Sequence, residues 1–525
     1  MAYITTPIYY VNDDPHIGHI YTNVSADVLA RFSRLSGHDT FLLTGTDEHA
    51  VKVVDAAKAK GLATSAWVLG KAAVFADAFR QFDVQVSDFI RTSEPRHVAE
   101  VTLRMQQLIE SGDVYVGTYE GWYDAGQEEY VSETKAKQAD FCSVVSRRPL
   151  VRRKESCLYF KLSAYESQIR ELIESDRLKV RPMARRQELL ARLREGLIDI
   201  PCSRPRENEW GIAVPAYPEQ VVYVWIDALL NYLTAVDTPS LRSFWPPSMQ
   251  LVGKDIVWFH AVIWPAMLLA LRQAPASAWI ELPKAVRAHS FWIRDGEKMS
   301  KSMGNFIALT ELTALRESYG SDALRFFLIS AGPNEAADAD FSAARLHDIY
   351  TSALANTVGN CCSRVVAMIV KFCDSKIPAR RVDSGFALTD VMNAVHTART
   401  VAASGEFPAL ITEALRIIRA TDAFVHSSQP FRLAGDASNQ PLVDAILHDA
   451  LEALRLASML LWPVMPSKIG RFWSAIGLEA EMSVIAEGGV ATDDRHFQWG
   501  GLSVGQAVET LAPMFPRVNV APLAV

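Results

Sequence analysis

The stretch YITTPIYYVNDDPHIGHI, residues 3–20, decides the fold of this chain. Its first half is rich in β-branched and aromatic side chains, which predicts a buried strand over residues 3–11. Apolar side chains then recur every three or four positions, and Pro15 suits the first turn of a helix. His16 and His19 are therefore predicted on one face at the start of a helix that directly follows a strand.

A second strand is predicted for TFLLTG, residues 40–45, and it runs into the polar stretch TDEH at 46–49. Strand, helix and strand at this spacing predict a parallel α/β sheet. In such sheets the ligand crevice lies beyond the carboxyl ends of the strands. Both histidines and Asp47 fall at that edge, which is therefore the predicted site.

The rest of the chain divides into segments of different character. Residues 114–214 mix charged and extended stretches, and we expect them to be an insertion between two halves of the α/β unit, 1–113 and 215–310. A linker region is expected over 311–345 and an all-helical domain over 346–525, whose last segment returns to an extended pattern. Helical apolar spacing recurs there in four segments, namely 346–373, 385–402, 408–426 and 441–462.

The composition is that of an ordinary globular protein. Hydrophobic residues make up 49% of the 525 residues and charged residues 22%, and the net charge of −7 gives no global sign of a nucleic-acid binder. The six cysteines form no Cys-x-x-Cys motif, which favours a reducing cytosol. We expect no signal peptide and no membrane span, because Asp227 and Asn231 interrupt the apolar run at 222–235.

The pair of histidines has two interpretations. A helix N-terminus carries unpaired backbone N–H groups and the positive end of the helix dipole, so it attracts anions. Gly18 lets a ligand approach the backbone closely, and the imidazoles of His16 and His19 could donate hydrogen bonds to phosphate oxygens. Alternatively, the two histidines only cap the helix or pack in the core.

A second motif, EKMSKS at 297–302, favours the phosphate interpretation. Lys298 and Lys301 lie in a predicted loop after a strand, between the mobile positions Gly296 and Gly304. Two lysines and two hydroxyls suit a polyphosphate, although a basic loop on its own is usually a solvated surface. Together with the histidine pair in an α/β domain, the motif indicates a nucleotide triphosphate site.

Several stretches together resemble one enzyme family. HIGH followed far downstream by KMSKS is similar to the class I aminoacyl-tRNA synthetases. The resemblance covers essentially the whole chain, from Tyr3 to the FPR near its end, and is most specific in the catalytic half. The stretches that narrow it to the methionyl-tRNA synthetase family are TTPIYYVNDDPHIGH, TGTDEH, YVWIDALLNYLTA, VGKDIVWFHAVIWPAMLLA and KMSKSMGN.

The resemblance implies a Rossmann-like α/β catalytic domain with an inserted connective domain, followed by an all-α anticodon-binding helix bundle. It also implies a ligase reaction in two steps, in which methionine and ATP with Mg²⁺ give methionyl-adenylate and pyrophosphate, and methionine then passes to the 3′ end of tRNA. The expected partners are L-methionine, ATP and both the initiator and the elongator tRNA(Met). The residues implied to be catalytic are His16, His19, Lys298 and Lys301, and the implied ATP site adds Gly18, Gly253, Asp255 and Ser300.

The family's methionine pocket maps onto eleven residues of this chain, and their chemistry fits a soft thioether, which favours aromatic edges. Asp47 is expected to pair with the substrate ammonium, and Tyr10 and His260 to donate weakly to the sulfur. Arg204 matches a family arginine near the site. An ordinary α/β core remains the alternative for the aromatic set. The eleven residues are Pro7, Ile8, Tyr10, Asp47, Trp225, Ala228, Leu229, Tyr232, Ile256, His260 and Trp264.

The sequence departs from the family in the insertion. Many members carry Cys-x-x-Cys zinc knuckles, but Asp124 and Gln127 stand where those cysteines would be, and Cys142 alone cannot complete a tetrahedral site. We therefore expect no structural zinc. The basic stretch SRRPLVRRK at 146–154 either contacts acidic neighbours or tRNA, or is a solvated charged face.

The resemblance implies an anticodon-binding surface formed by Asn360, Arg364 and Phe431. Asn360 and Arg364 match the family's pattern and share a helix face. Phe431 replaces the family's tryptophan; it either stacks on a base or is a helix-packing aromatic. The chain stops before the oligonucleotide-binding module through which some relatives dimerise, so we expect a monomer, and we expect it in the cytoplasm.

Four other functions remain open at this point. A class I synthetase for another apolar amino acid usually carries an editing insertion larger than the predicted one. A non-catalytic tRNA-binding paralogue would be favoured by loss of a motif histidine or lysine, and all four are present. A divergent enzyme with an altered tRNA partner, or one that activates methionine for another acceptor, would account for Phe431.

Overall fold

The computed structural model describes residues 1–518 except 125–128, 132, 145, 207–209, 295, 300–304, 487–488 and 490–493. The chain begins with alternating strands and helices, as the first stretch of sequence predicts. The first strand ends where the polar run begins, and helix α1 ends before Gly37, which adopts a positive φ of 85°. These elements are β1 (Ala2–Tyr10), α1 (Ile17–Leu35), β2 (Thr40–Asp47), α2 (Val51–Ala59), α3 (Thr64–Gln81), β3 (Asp88–Arg91) and α4 (Pro95–Glu110).

The next hundred residues hold short strands and helices of mixed order. They are β4 (Val114–Asp124), β5 (Glu129–Val131), α5 (Glu133–Gln138), β6 (Val151–Phe160), α6 (Glu166–Glu174), β7 (Lys179–Arg181), α7 (Met183–Leu193), β8 (Ile200–Pro201), β9 (Ser203–Pro205) and β10 (Ala213–Val214). Strands β5, β4, β6 and β8 form an antiparallel sheet in that order.

The second α/β stretch resumes the strand–helix pattern. Its elements are β11 (Tyr217–Val222), α8 (Val224–Leu229), α9 (Asn231–Thr234), β12 (Met249–Gly253), α10 (Trp264–Leu271), β13 (Ala285–His289), β14 (Trp292–Arg294), β15 (Glu297–Lys298), α11 (Leu309–Tyr319), α12 (Ser321–Ala331) and β16 (Ala339–Phe341). Strands β10, β11 and β9 form one small sheet, and β15, β14 and β16 another.

One parallel sheet organises the catalytic half. Its strand order is β3-β2-β1-β12-β13-β7, with every neighbouring pair parallel. The chain runs outward from β1 through β2 to β3 on one side and from β12 to β13 on the other, so the switch point lies between β1 and β12. Ligands of open parallel sheets bind outside the carboxyl ends of the strands at such a switch. The histidine pair follows β1 and Asp255 follows β12, so the topology places these residues at this crevice.

The predicted insertion, 114–214, differs from the structure in one respect. Strand β7 lies inside that range but pairs with β13 and forms an edge of the main sheet. At three residues it is too short to give a clear alternation of apolar and polar positions. The sheet of β5, β4, β6 and β8 is thus separate from the main sheet, whereas β7 belongs to it.

The C-terminal part is helical, as the apolar spacing predicts. Its helices are α13 (Ala343–Ile349), α14 (Asn360–Phe372), α15 (Leu388–Ala403), α16 (Pro408–Ser428), α17 (Pro430–Leu433), α18 (Gln440–Leu461), α19 (Pro466–Ala475) and α20 (Glu479–Ala486). The expected extended segment at the end is not a strand within residues 494–518; there Ala507 makes an isolated β-bridge to Lys376.

A π-helical stretch, Tyr350–Gly359, joins α13 to α14. The result is one helix of 30 residues, Ala343–Phe372, which by length and composition alone is long and apolar enough to cross a membrane. The expectation that no segment reaches that length was therefore wrong. Half of its most apolar window is buried inside the protein, as in the core helix of a bundle.

A buried ion network joins the catalytic half to the helical part. Arg325 on α12 is fully buried and donates to the carboxylate of Asp27 on α1 at 2.6 Å. It also donates to the carbonyl oxygens of Pro463 and Val464, at 2.8 and 2.9 Å, in the turn after α18. Asp27 accepts a second hydrogen bond from Arg31 at 2.8 Å. Because breaking such a buried pair costs about 3–5 kcal/mol, the network fixes α1 relative to the bundle.

Candidate active site

Helix α1 begins with a reciprocal hydrogen-bond cap made by its two histidines. Nδ1 of His16, the residue before the helix, accepts from the backbone N–H of Gly18 at 3.0 Å. Nδ1 of His19 accepts from the backbone N–H of His16 at 3.0 Å. Since both Nδ1 atoms are acceptors, the proton of each neutral imidazole is on Nε2. The cap therefore assigns each ring one remaining donor, its Nε2–H.

Both imidazoles are held in the neutral form. Burial lowers the pKa of His16 to about 4 and lowers that of His19 well below its usual range, and the neighbouring His16 lowers it further. The ring centroids lie 3.8 Å apart. Two neutral N–H donors, side by side at a helix N-terminus, suit phosphate oxygens without adding a titrating charge. The two interpretations of the motif are thus compatible, because capping uses Nδ1 and leaves Nε2–H.

Gly18 is required by the position of the His16 ring. A Cβ atom at residue 18 would lie 2.9 Å from Cε1 and 3.1 Å from Nδ1 of His16. Such contacts are shorter than side chains tolerate, so a larger residue would push the imidazole out of its cap. The glycine is therefore needed for the geometry of the histidine, in addition to leaving the backbone open.

The segment after the lysine motif docks directly on the start of α1. Ala308 forms an isolated antiparallel bridge with His16, and the backbone N–H of Ile17 donates to the carbonyl oxygen of Ile307 at 3.4 Å. The Phe306 ring packs edge-on against the His16 ring, with centroids 4.7 Å apart. The structure thus places the segment after the lysine motif, residues 306–308, directly on the histidine motif.

Of the lysine motif itself, Lys298 ends strand β15, which pairs with β14. The Lys298 side chain lies outside what the structure describes, as do Ser300 and Lys301, for which the assigned roles remain predictions.

At the neighbouring strand end, Gly253 closes β12 and Asp255 is exposed in the following turn. A Cβ atom on Gly253 would lie 2.5 Å from Oδ1 of Asp255, so a larger residue there would displace the carboxylate from this position. His289, at the end of β13, is in register with Gly253 and shares a 2.8 Å hydrogen bond through Nε2 with the Thr22 hydroxyl of α1. The exposed carboxylate and the histidine pair therefore flank the switch point from its two sides.

The residues predicted for methionine lie on strands β1 and β2, on helices α8 to α10 and in the segment after β12. Tyr10 and Asp47 are paired in register at the ends of β1 and β2. The ring of Trp225, on α8, stacks on Phe259 with centroids 3.7 Å apart. Tyr232 contacts His260 and Trp264, with ring centroids 5.7 and 5.8 Å away. Pro7 and Ile8 lie at an irregularity of the β1–β2 pairing, Ala228 and Leu229 are buried on α8, and Ile256 is half-buried after β12.

The expected donation from His260 to a thioether is not supported. Nδ1–H of His260 donates to the carbonyl oxygen of Ile256 at 3.0 Å, and Nε2 accepts from the Tyr232 hydroxyl at 2.8 Å. Burial lowers the pKa of His260 to about 4, so the ring is neutral and has no second N–H. His260 instead fixes the orientation of Tyr232. Nε1–H of Trp264 is buried and has no acceptor among the described residues.

Sequence reasoning missed a buried network beside this pocket. The Asp227 carboxylate, on α8, lies 2.7 Å from Nδ1 of His49 and 2.8 Å from Nε2 of His97. Asp227 had been noted only as an interruption of an apolar run. A charged residue inside such a run needs buried partners, and that requirement was the available signal. The sequence does not show which histidines provide them.

The residues expected near the insertion are dispersed. Asp124 is buried at the end of β4, whereas Gln127 lies outside the described residues. No group of three or more His, Cys, Asp or Glu side chains able to hold a metal ion occurs in the described part of the chain. Arg204, on β9, places its guanidinium 4.3 Å from the centroid of the Tyr223 ring, next to α8.

In the helical part, the three residues predicted for the anticodon lie at the surface. Asn360 is exposed at the start of α14, and Phe431 is 51% exposed on the short helix α17. Arg364 is paired with Asp422 of α16 at 2.8 Å, with side-chain exposures of 36% and 44%. The exposure of Phe431 is against its being a helix-packing aromatic.

A family model described as class I tRNA synthetases (M) matches residues 2–139 and 133–366. Curated methionine–tRNA ligases are similar over nearly the whole chain. The ligase of Streptomyces coelicolor is 35% identical and the alignment covers 99% of this chain and 97% of the relative. For Rickettsia bellii the identity is 36%, covering 91% and 93%, and for Halalkalibacterium halodurans it is 34%, covering 99% and 78%.

Solved structures give the same result. The Mycobacterium tuberculosis methionyl-tRNA synthetase in complex with methionyl-adenylate superposes with a TM-score of 0.88 at 31% identity, covering 98% of this chain and 99% of that one. The free state of that enzyme gives a TM-score of 0.82 at 28% identity, covering 99% and 98%. The likeness thus extends through both the catalytic and the helical parts.

Proposed function

This chain belongs to the class I methionyl-tRNA synthetase family, and we propose that the crevice at the carboxyl ends of β1 and β12 is where it activates methionine. The overall reaction is that of a methionine–tRNA ligase. A carboxylate oxygen of methionine attacks the α-phosphorus of ATP, and the bond from that phosphorus to pyrophosphate breaks. The resulting methionyl-adenylate then gives its acyl group to a ribose hydroxyl at the 3′ end of tRNA, and AMP leaves.

The protein's part in the first step is to position the phosphates and to stabilise charge. We assign the Nε2–H groups of His16 and His19 to the phosphate oxygens, since the cap holds both rings neutral and in one tautomer. Lys298 and Lys301 are assigned to the charge that builds on the departing pyrophosphate. Mg²⁺ carried by the ATP would neutralise phosphate charge further. Asp255 is assigned to the ribose hydroxyls, in the exposed turn that follows Gly253.

We assign the methionine to the space bounded by the end of β2, helix α8 and the turn after β12. The Asp47 carboxylate would accept from the ammonium group. The aromatic side chains of Trp225, Tyr232 and Trp264 would surround the thioether, which is soft and packs well on aromatic edges. The buried Nε1–H of Trp264 lacks an acceptor among the described residues, and a thioether sulfur is a weak acceptor that would supply one.

For the second step we assign tRNA(Met), initiator and elongator alike, to a surface that includes Asn360, Arg364 and Phe431. An exposed phenylalanine suits stacking on an unpaired base. The Arg364–Asp422 ion pair is at the surface, where such pairs contribute only about 0–1 kcal/mol, so RNA can displace it at little cost. We further propose that the protein acts as a monomer in the cytoplasm and holds no structural zinc.

The observation that carries this proposal is the His16–His19 cap, with its two Nε2–H donors, beside the segment that follows the lysine motif. The experiment is charging of total tRNA with labelled methionine in the presence of unlabelled competitor amino acids. We expect charging that methionine alone competes away. Competition by another apolar amino acid would indicate a synthetase of different specificity.

A second assay separates the two steps. Methionine-dependent exchange of labelled pyrophosphate into ATP reports activation without tRNA. Exchange without charging would overturn the assigned tRNA partner but keep the activation site. Lys301→Ala should slow exchange at least about 100-fold while methionine affinity changes little, because its partner charge develops in the transition state. An equal loss of rate and of affinity would contradict that role.

A further inference from the structure

A carboxylate buried between two imidazoles lies next to the proposed methionine pocket. Asp227 is 1% exposed, and each of its oxygens accepts one hydrogen bond. Nδ1–H of His49 donates to Oδ2 at 2.7 Å, and Nε2–H of His97 donates to Oδ1 at 2.8 Å. Nδ1 of His97 in turn shares a 2.9 Å hydrogen bond with the Thr234 hydroxyl. We call Asp227, His49 and His97 the carboxylate clamp.

Asp227 is the charged member of the clamp at neutral pH. The adjacent Asp227 raises the pKa of His49 against the effect of burial. The two histidines lower the pKa of Asp227 to about 2. Glu48, a second buried acid next to His49, is already held by the Arg91 guanidinium at 2.8 and 3.1 Å. The negative charge beside His49 therefore comes mainly from Asp227.

The clamp joins three separate elements. His49 follows β2 directly, two residues after Asp47; Asp227 is on α8, two residues after Trp225; and His97 is on α4. Thr234 adds α9 to the same set. The proposed ammonium ligand and one proposed aromatic wall of the pocket thus come from the two elements that His49 and Asp227 connect.

The backbone around His49 is fixed by other contacts as well. The carbonyl oxygen of Glu48 accepts from Nε1–H of Trp210 at 2.7 Å, and the backbone N–H of Glu48 donates to the Thr92 hydroxyl at 2.9 Å. The chain directly after Asp47 is therefore held from the β3 side by Glu48 and from the α8 side by His49. The His49–Asp227 hydrogen bond is a direct side-chain link between the residues after β2 and α8.

We propose that the carboxylate clamp sets the distance between the Asp47 side and the Trp225 side of the methionine pocket, and so determines how long an amino-acid side chain the pocket accepts. This inference rests on the proposed function. His49, Asp227 and His97 are positioning residues, because they act through Asp47 and Trp225. Two hydrogen bonds to a buried carboxylate constrain distance and angle more closely than apolar packing does.

The test compares two amides at residue 49. In His49→Asn the amide nitrogen takes the place of Nδ1 and keeps the donor to Asp227, whereas in His49→Gln it takes the place of Nε2 and leaves Asp227 without that partner. Pyrophosphate exchange is measured with methionine and with ethionine, whose side chain is one methylene longer. Thermal melting of both variants checks that they fold.

We expect His49→Gln to raise KM for methionine at least about 10-fold, with KM for ATP within about twofold of the parent and a smaller change in kcat. Discrimination against ethionine should fall by about 10-fold, the range that one methylene contributes in a well-fitted pocket. His49→Asn should stay within about threefold of the parent for both substrates. A merely structural role would instead lower the amount of active enzyme and leave both KM values unchanged.

Four outcomes decide the matter. An unchanged KM for methionine in His49→Gln, or an equal change in KM for ATP, overturns the clamp's role and leaves the proposed function intact. A parent enzyme without methionine-dependent exchange overturns the proposed function and this role with it. Weaker discrimination against ethionine in His49→Gln, together with discrimination close to that of the parent in His49→Asn, supports the proposal. If His49→Gln does not fold, Thr234→Val loosens the clamp from the His97 end, and an unchanged ratio of ethionine to methionine exchange in that variant overturns it.

Discussion

Nδ1 of His19 accepts a hydrogen bond from the backbone N–H of His16 at 3.0 Å, so the second histidine of the motif completes the cap that the first one begins. The first cap bond runs from the N–H of Gly18 to Nδ1 of His16, also at 3.0 Å. A cap that used Nε2 would leave Nδ1–H, which is directed back toward the helix backbone. The observed arrangement leaves Nε2–H on both rings, at the far side of the imidazole from the helix.

The cap and the phosphate donor can be separated by substitution at His19. Asparagine offers Oδ1 near the position of Nδ1, so His19→Asn should keep the cap and lose stability only through the missing ring contacts with Tyr9 and Phe75. It lacks the Nε2–H donor, so pyrophosphate exchange should slow by about 10²–10³-fold, the cost of removing one preorganised donor. Urea unfolding and exchange rates measure the two effects.

Glutamine is the matched control for that pair. His19→Gln places an N–H near Nε2 but gives the His16 backbone no acceptor at the position of Nδ1. It should therefore lose about 1 kcal/mol, the usual cost of a missing N-cap, while keeping more of the activity than His19→Asn. The opposite ranking of the two variants in the exchange assay would mean that Nε2–H of His19 is not the phosphate donor.

Gly18→Ala tests whether the His16 ring needs the space that glycine leaves. The new Cβ atom would lie 2.9 Å from Cε1 of His16, so the ring must move and its cap bond to the Gly18 N–H is lost. We expect exchange to fall at least about 10-fold, because a misplacement of about 1 Å costs that much or more. Stability should change little, since alanine's better helix propensity, about 1 kcal/mol, offsets the lost cap.

Gly70→Ala provides the control within the same domain. Gly70 is on α3, and a Cβ atom there meets nothing within 4 Å. That variant should be more stable by up to about 1 kcal/mol with unchanged exchange. Full activity in Gly18→Ala would contradict the placement of the His16 ring.

The fold of the catalytic half was predictable because its strongest signals are local. The β-branched run before Pro15 and the apolar spacing after it specify β1, α1 and the position of His16 between them. Strand β7 was assigned to the insertion because three residues carry no periodic pattern and its pairing with β13 is set by the sheet.

The misjudged parts of the site depend on long-range partners. Asp227 and His49 are 178 positions apart in sequence yet hydrogen-bonded. The donation to sulfur expected of His260 depends on long-range partners as well. Its residue type allows donation to sulfur, but the Ile256 carbonyl and the Tyr232 hydroxyl occupy both nitrogens. Such assignments need the packed structure, because hydrogen-bond partners decide the tautomer.

Acid should destabilise the protein through its neutral histidines. Burial lowers the pKa of His260 to about 4, below the value of about 6.5 expected in the unfolded chain. Between these values the unfolded chain binds a proton that the folded chain does not. The stability that depends on neutral His260 is therefore fully present above about pH 6.5 and is lost as the pH drops from about 6.5 toward 4. We expect the urea midpoint of the parent to decrease from pH 7.5 to pH 5.

His260→Gln isolates one contribution to that decrease. The variant should be less stable at pH 7.5, yet its urea midpoint should fall less between pH 7.5 and pH 5 than that of the parent. The difference between the two urea midpoint slopes cancels the contributions of the other titratable groups. One of these is Asp322, whose pKa burial raises to about 6, so that it increases stability as the pH drops. Parallel slopes would show that His260 is not held neutral.

The helical part is tested most directly at Arg364, which is paired with Asp422 across α14 and α16 at 2.8 Å. Arg364→Ala should leave pyrophosphate exchange within about twofold of the parent, because Arg364 is on α14 in the helical part and not at the crevice. It should reduce tRNA charging at least about 10-fold, because the variant lacks a charge-assisted contact to RNA. Stability should change by no more than about 1 kcal/mol, because the pair is at the surface.

The control variant is Arg416→Ala. Arg416 is an exposed arginine of α16, in the same helical part, and is paired with Glu413 at 2.7 Å, so its removal should affect neither assay. Equal charging by the two variants would place tRNA recognition elsewhere on the bundle, whereas parallel losses of exchange and charging in Arg364→Ala would show that its effect reaches the catalytic half.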